Sequence, residues 1–408
     1  MRKLLFSRRD FLRFFASSTA GVGLLAGGFG VDRIVPPVWE QYRIWQATDC
    51  DMATFLKKYR QQLAQIHFGA NLCPDYKLMA AKADPNRTVK LLKEYFGCQH
   101  VRLGMWWSTH AEQGLAAYDR WIEALLKQEI KLVLAYGLKA PFPPETHFPQ
   151  AIQAKLVALG ASPGSTISVN SPLGQMAMDY MRALMTHLDR TFGLDSFAGF
   201  NPENEFDAPY GAYRLASGED LLRAQAQLLY TPSRRRQILI NTAIISLPGY
   251  PASLTTAIKN ALALRQEFPT LDPIVGVDIY EETGSGRISP NMYIDTFAGV
   301  RMRHGNSLIP DARRTLAENH IPLEVAEFQI SDWINEPRRH QPGSRLHTQY
   351  LLARMAEYLI DDPPVPMQEP MLVRLWEMST ILLNMLHDEQ FFHTNDDYAL
   401  IQQINRGL

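Results

Sequence analysis

The sequence predicts an α/β chain folded as a single (β/α)8 TIM barrel, preceded by an N-terminal export signal. Three observations carry the barrel. Short apolar runs alternate with amphipathic stretches along the chain, the pattern of strands buried by the helices between them. Long polar segments follow strands while the returns from helix to strand are short, which marks one end as the working face. Two of the apolar runs end in acids, Asn201-Pro202-Glu203-Asn204-Glu205 and Leu323-Glu324-Val325-Ala326-Glu327, so carboxylates gather at that end.

In chain order, strands are expected near Gln65–Ala70, Cys98–Met105, Lys131–Tyr136, Ser196–Asn201, Gln237–Asn241, Ile274–Ile279, Leu323–Glu327 and Val373–Trp376. Helices are expected over Arg87–Phe96, Ala117–Lys127, Gln175–Phe192, Glu219–Tyr230, Ser253–Phe268, Asp311–Asn319, Ser344–Tyr358 and Asp396–Asn405. Ser217 ahead of Asp220 reads as a helix N-cap with an acid in the first turn. The segment Gly137–Ser171, rich in proline, and the segment Glu281–Pro310 are the long connections after the third and sixth strands. They are where a barrel builds a binding site.

Residues 1–40 read as an address and linker, and 41–408 as the barrel. Ser7-Arg8-Arg9-Asp10-Phe11-Leu12 precedes a weakly apolar run rich in Gly, Ala and Ser, the make-up of an export signal. The paired arginines resemble the twin-arginine type, which implies the twin-arginine export machinery as a partner and a periplasmic or secreted location. With no clean Ala-x-Ala site, an uncleaved N-terminal membrane anchor stays open.

The bulk composition excludes more than it assigns. The formal net charge of -1 over 408 residues gives no electrostatic case for nucleic acid. Arg234-Arg235-Arg236 is expected to be a solvated turn. Three cysteines, Cys50, Cys73 and Cys98, do not make a disulfide framework, and buried free thiols are the default. The 11 histidines show no metal-ligand spacing, and no Gly-x-Gly-x-x-Gly follows a strand, so no metal and no cofactor is expected.

Cleaving a glycosidic bond needs a protonated acid, a carboxylate on the opposite face of the sugar, donors that keep the carboxylate charged, and aromatic walls. Residues of each kind stand at strand ends here. Glu203 and Glu205 share strand parity, so alternation does not choose between them as the acid. Leu323, Val325 and Glu327 share one face of the seventh strand, and if that face points inward Glu327 lies at its top. As a barrel arginine, Arg102 can neutralise Glu203. Asp278 and Glu281 neighbour Tyr280 without an assigned role.

Phe200-Asn201-Pro202-Glu203-Asn204-Glu205 and Val325-Ala326-Glu327-Phe328-Gln329 with Trp333 resemble the retaining (β/α)8 glycoside hydrolases of clan GH-A. So do Val101-Arg102-Leu103-Gly104, Gly276-Val277-Asp278-Ile279-Tyr280 and Leu375-Trp376-Glu377. The likeness covers roughly Ile66 to the C-terminus. It implies Glu205 as acid/base, Glu327 as nucleophile, and Asn204, Arg102, Tyr280, Trp376, Trp333 and Trp107 as substrate-binding or supporting residues. The implied activity is hydrolysis of a β-linked oligo- or polysaccharide through a covalent glycosyl-enzyme. Two rival readings are a non-catalytic carbohydrate-binding or cell-envelope assembly barrel and an exported redox enzyme.

Overall fold

The computed structural model describes residues 50–142, 146–207, 213–243, 253–279, 315–328, 349, 352–353, 371–376, 378–394 and 396–407. Residues 1–40, the Glu281–Pro310 connection, Tyr280 and Trp333 lie outside them, as does the expected helix Ser344–Tyr358 apart from 349, 352 and 353. Among the described residues no helix is long and apolar enough to cross a membrane.

Eight parallel strands close into a barrel, and each pairs with its neighbours in sequence. They are β1 (Ile66–Leu72), β2 (His100–Gly104), β3 (Lys131–Ala135), β4 (Gly199–Asn201), β5 (Arg236–Ala243), β6 (Leu271–Ile279), β7 (Leu323–Phe328) and β8 (Met371–Leu375). The fold class and every expected strand are therefore present. The barrel falls in one compact unit, Ala64–Tyr280, Ala312–Ile330 and Val365–Leu408. The helix Met52–Leu63 belongs to a second unit and is capped by Asp51, whose carboxylate accepts from the Thr54 amide at 2.9 Å and its hydroxyl at 2.8 Å.

Local signals set the helix ends. Pro85–Phe96 starts with Asp84 accepting from the Asn86 and Arg87 amides, holds Pro85 in its first turn, and stops at Gly97 in the left-handed conformation. Pro172–Phe192 starts the same way, with Ser171 as cap and Pro172 behind it. Ser217, expected as a cap, is not one. Gly218 is the N-cap of Glu219–Leu229 and makes no side-chain cap bond, while Ser217 lies in a two-residue strand paired with Thr166–Ile167. The acids expected in that helix's first turn, Glu219 and Asp220, are there. The helix Met378–His387, an apolar stretch directly after β8, was not expected.

Inside the barrel, Val133, Leu239, Ile274 and Ala326 form one apolar cluster. They come from β3, β5, β6 and β7, and strands that are not neighbours touch only through the interior. Ala326 thus points inward, and so does Glu324, whose carboxylate pairs with Arg374. The register explains how Glu327 does so too. Val277 pairs with Val325, but Asp278 pairs with Glu327, so Ala326 is an extra residue in β7. Such a bulge shifts the alternation by one. The expectation that Leu323, Val325 and Glu327 share one face is therefore corrected: the inner face carries Glu324, Ala326 and Glu327.

Cys98 is a buried free thiol, and Cys73 is buried with its Sγ 4.0 Å from Asp75 Oδ2. The arginine run closes in ion pairs, Arg234 and Arg236 with Asp195 and Arg235 with Asp272 at 3.1 Å. For the exposed members these are worth little beyond solubility.

Candidate active site

Above the apolar layer the strands end in polar side chains that bond to one another across the barrel. Arg102 of β2 is the centre. Its guanidinium donates to Glu327 Oε1 at 2.8 Å, Asn201 Oδ1 at 2.9 Å, Asn71 Oδ1 at 3.2 Å and Asn204 Oδ1. Arg102 is 0% and Glu327 1% exposed. A buried carboxylate is tolerable only when paired and hydrogen-bonded, and the arginine fork meets both needs. Arg102 serves Glu327, and its hydrogen bonds do not go to Glu203.

Asn241 of β5 links the next set. Its Nδ2 donates to Asn204 Oδ1 at 2.9 Å and to Asp278 Oδ2 at 2.8 Å, while its Oδ1 accepts from the Glu205 amide at 3.3 Å. Asn71 anchors the other side by donating to the Ala326 carbonyl at 2.8 Å, at the bulge itself. Asp278 is buried, and burial pushes its carboxyl up to about 6 against the opposing charge of Arg102.

The two acids that alternation leaves equal are separated by the backbone. Glu203 turns away from the barrel axis into the connection after β3. Its carboxylate accepts from the Leu138 and Lys139 amides, each at 3.0 Å, and from Gln225 Nε2 at 2.6 Å. Burial still raises it to about 7 over those three donors. Gly137 makes this approach possible. At φ +130 a Cβ there would lie 2.0 Å from the Pro202 carbonyl and 2.8 Å from the Glu203 carboxylate.

Glu205 follows at φ 44, in the left-handed region that a residue with a side chain occupies only under constraint. The constraint is visible. The buried Lys139 ammonium donates to the Glu205 carbonyl at 2.7 Å, and the Asn204 amide donates to the Lys139 carbonyl at 3.0 Å. The Glu205 side chain meets Asp278. Glu205, Glu327, Asn204 and Arg102 are thus brought into one network.

The aromatics divide differently. Trp376 is 5% exposed, with one face stacked on Phe142 at 4.3 Å and 18°. Phe142, from the connection after β3, stacks in turn on Tyr76 at 4.9 Å. Trp107 is outside the polar network and packs on Tyr180 at 5.0 Å and edge-on to Phe148, against the helix Pro172–Phe192. Asn71, Asn201, Asn241, Lys139 and Asp207 belong to this region without having been singled out from sequence. Asp207 is raised to about 7 by burial. For the three asparagines the available signal was a lone amide at or near the end of an apolar strand.

Among solved structures, the chain resembles GH5_18 from Streptomyces cattleya in complex with GlcNAc, at 16% identity and TM-score 0.46 over 76% of this chain and 70% of that one. A β-mannanase from the blue mussel Mytilus edulis matches at 12% and TM-score 0.38 over 72% of this chain and 92% of that one. A dihydropteroate synthase from Xanthomonas albilineans matches at 15% and TM-score 0.35 over 80% and 92%. Likeness of this degree, spread over unlike enzymes, does not choose a chemistry. No family model and no curated protein matches the chain.

Proposed function

We propose that the protein is an exported retaining β-glycosidase acting on a β-linked oligo- or polysaccharide, with Glu327 as nucleophile and Glu205 as acid/base. The observation that carries the reading is the Arg102–Glu327 pair inside the barrel, with Asn204 and Glu205 joined to the same network. Arg102 holds Glu327 as a carboxylate aimed into the barrel mouth. In the first step Glu327 forms a bond to the anomeric carbon. The glycosidic C–O bond breaks, and its electron pair goes to the leaving oxygen, which takes the Glu205 proton. In the second step Glu205 takes a proton from water, and the oxygen of that water displaces Glu327. Retention needs the two carboxyl groups about 5–5.5 Å apart. Asn204 is assigned to the sugar hydroxyls, and Trp376, Tyr280 and Trp333 to the walls of the subsite, while Trp107, stacked on Tyr180, supports the helix behind it. Export through the twin-arginine route rests on Arg8 and Arg9.

The test is reducing-end release from a panel of β-glycans and aryl β-glycosides by the wild type, Glu327→Gln and Glu205→Gln. Activity that is lost in Glu327→Gln and rescued by external azide as a glycosyl azide of inverted configuration supports the nucleophile. A folded protein that binds glycans and turns none over gives the site to carbohydrate binding instead.

A further inference from the structure

Asp278 is unexplained by that mechanism. It lies one residue before the end of β6, stands in register with Glu327 across the bulge, and is 1% exposed. Its Oδ2 is used by Asn241. Its Oδ1 meets no hydrogen-bond donor among the described residues. What faces Asp278 is the side chain of Glu205, whose amide bonds at 3.3 Å to the same Asn241 that bonds Asp278 at 2.8 Å. Two carboxylates offer only acceptors to each other, so such a contact is attractive only when one of them carries a proton.

The surroundings favour that proton. Arg102 from β2 is the cation facing Asp278, and it is already paired with Glu327. Glu324 from β7 and Asp207 from the connection after β4 act on Asp278 as like charges. Asn241 from β5 is neutral, and Lys139 places its ammonium on the Glu205 carbonyl. Burial away from water disfavours a second negative charge beside the first.

We propose that Asp278 and Glu205 share one proton, so that Asp278 is a positioning partner that keeps Glu205 in its acid form at neutral pH. The catalytic consequence rests on the glycosidase reading; the shared proton does not. When the leaving oxygen takes the proton, Glu205 and Asp278 face each other as two anions. That repulsion is relieved when Glu205 draws a proton from the incoming water, which restores the pair as the glycosyl-enzyme is cleaved.

Infrared difference spectra of the carboxyl carbonyl band at pH 7 test the proton itself. Wild type minus Asp278→Asn and wild type minus Glu205→Gln should each show the loss of one protonated carboxyl, because the new amide donates to the remaining carboxylate. Glu203 and Asp207 cancel in both differences. Unchanged bands in folded variants overturn the proposal, and if Asp278→Asn does not fold, the Glu205→Gln spectrum decides alone. On aryl β-glycosides, Asp278→Asn should keep kcat/KM for substrates with good leaving groups, whose departure needs no proton, while kcat falls with the slowed second step. It should lose roughly tenfold or more on poor ones, with the alkaline limb of the pH profile moved down by about one unit. Equal losses on both kinds of substrate would overturn the positioning role. Loss of the bands with no hydrolysis of any substrate would uphold the shared proton and overturn the glycosidase reading.

Discussion

Replacing Arg102 by lysine and by methionine separates the two things its guanidinium does. The fork spans oxygens on β1, β4, the connection after β4, and β7, at distances between 2.8 and 3.2 Å for Glu327, Asn201 and Asn71. A lysine ammonium keeps the charge, but it is a point donor on a shorter reach. Following Glu327, it leaves the amide oxygens of Asn71, Asn201 and Asn204 without that donor. An unsatisfied buried acceptor costs about 1–3 kcal/mol, and rotation of the amides recovers part of it. The expected loss for R102K is therefore about 3 kcal/mol. R102M also leaves Glu327 buried without a cation, which adds about 3–5 kcal/mol. Together these approach the whole stability of an ordinary domain, about 5–15 kcal/mol. Urea unfolding followed by circular dichroism at pH 7 measures both, with soluble yield as the readout if R102M does not accumulate. R102K within about 0.5 kcal/mol of wild type, or R102M no worse than R102K, refutes the account of the network.

Three further outcomes are expected. Glu203, with an ordinary value of 4.5, is raised to about 7, and Asp207, with an ordinary value of 3.8, also to about 7. The native state therefore binds these protons more tightly than the unfolded chain. Their contribution is full below about pH 4 and is lost as pH rises through about 7, with Glu203 alone worth about 3 kcal/mol. Unfolding free energies measured across that window should fall as pH rises, and a rise attributable to these groups would contradict their desolvation. Gly137→Ala sets a Cβ 2.0 Å from the Pro202 carbonyl at φ +130. It should lower stability by about 3 kcal/mol or more, read as a lower melting temperature, and shift the Glu205 connection. Asn405→Ala removes an amide that takes the Phe68 amide proton at 2.8 Å and donates to the Phe68 and Phe96 carbonyls at 3.0 and 2.8 Å. A loss of about 2 kcal/mol is expected, and hydrogen exchange at the Phe68 amide should quicken.

The sequence by itself determined the order and number of the strands, because apolar runs that must be covered on both faces can be read without knowing their neighbours. It also set Glu203, Glu205 and Glu327 at or just beyond the ends of two apolar runs, Gly199–Asn201 and Leu323–Phe328, whatever the exact register. Which way those side chains point was decided by tertiary structure. Two-residue alternation holds only along a regular strand, and the extra residue Ala326 in β7 is set by pairing to β6 and β8, which no local pattern records. The different directions taken by Glu203 and Glu205 were likewise set by the segment Gly137–Lys139 and by Gln225, far away in sequence. The Leu138 and Lys139 amides and the Gln225 side chain draw Glu203 outward, while the Lys139 ammonium holds the Glu205 carbonyl in a left-handed turn. The same physics displaced Ser217 from its expected cap into a short strand pair with Thr166–Ile167. Periodicity reports burial, and burial is local enough to read. Direction depends on who the neighbours are, and only the closed barrel brings those neighbours together.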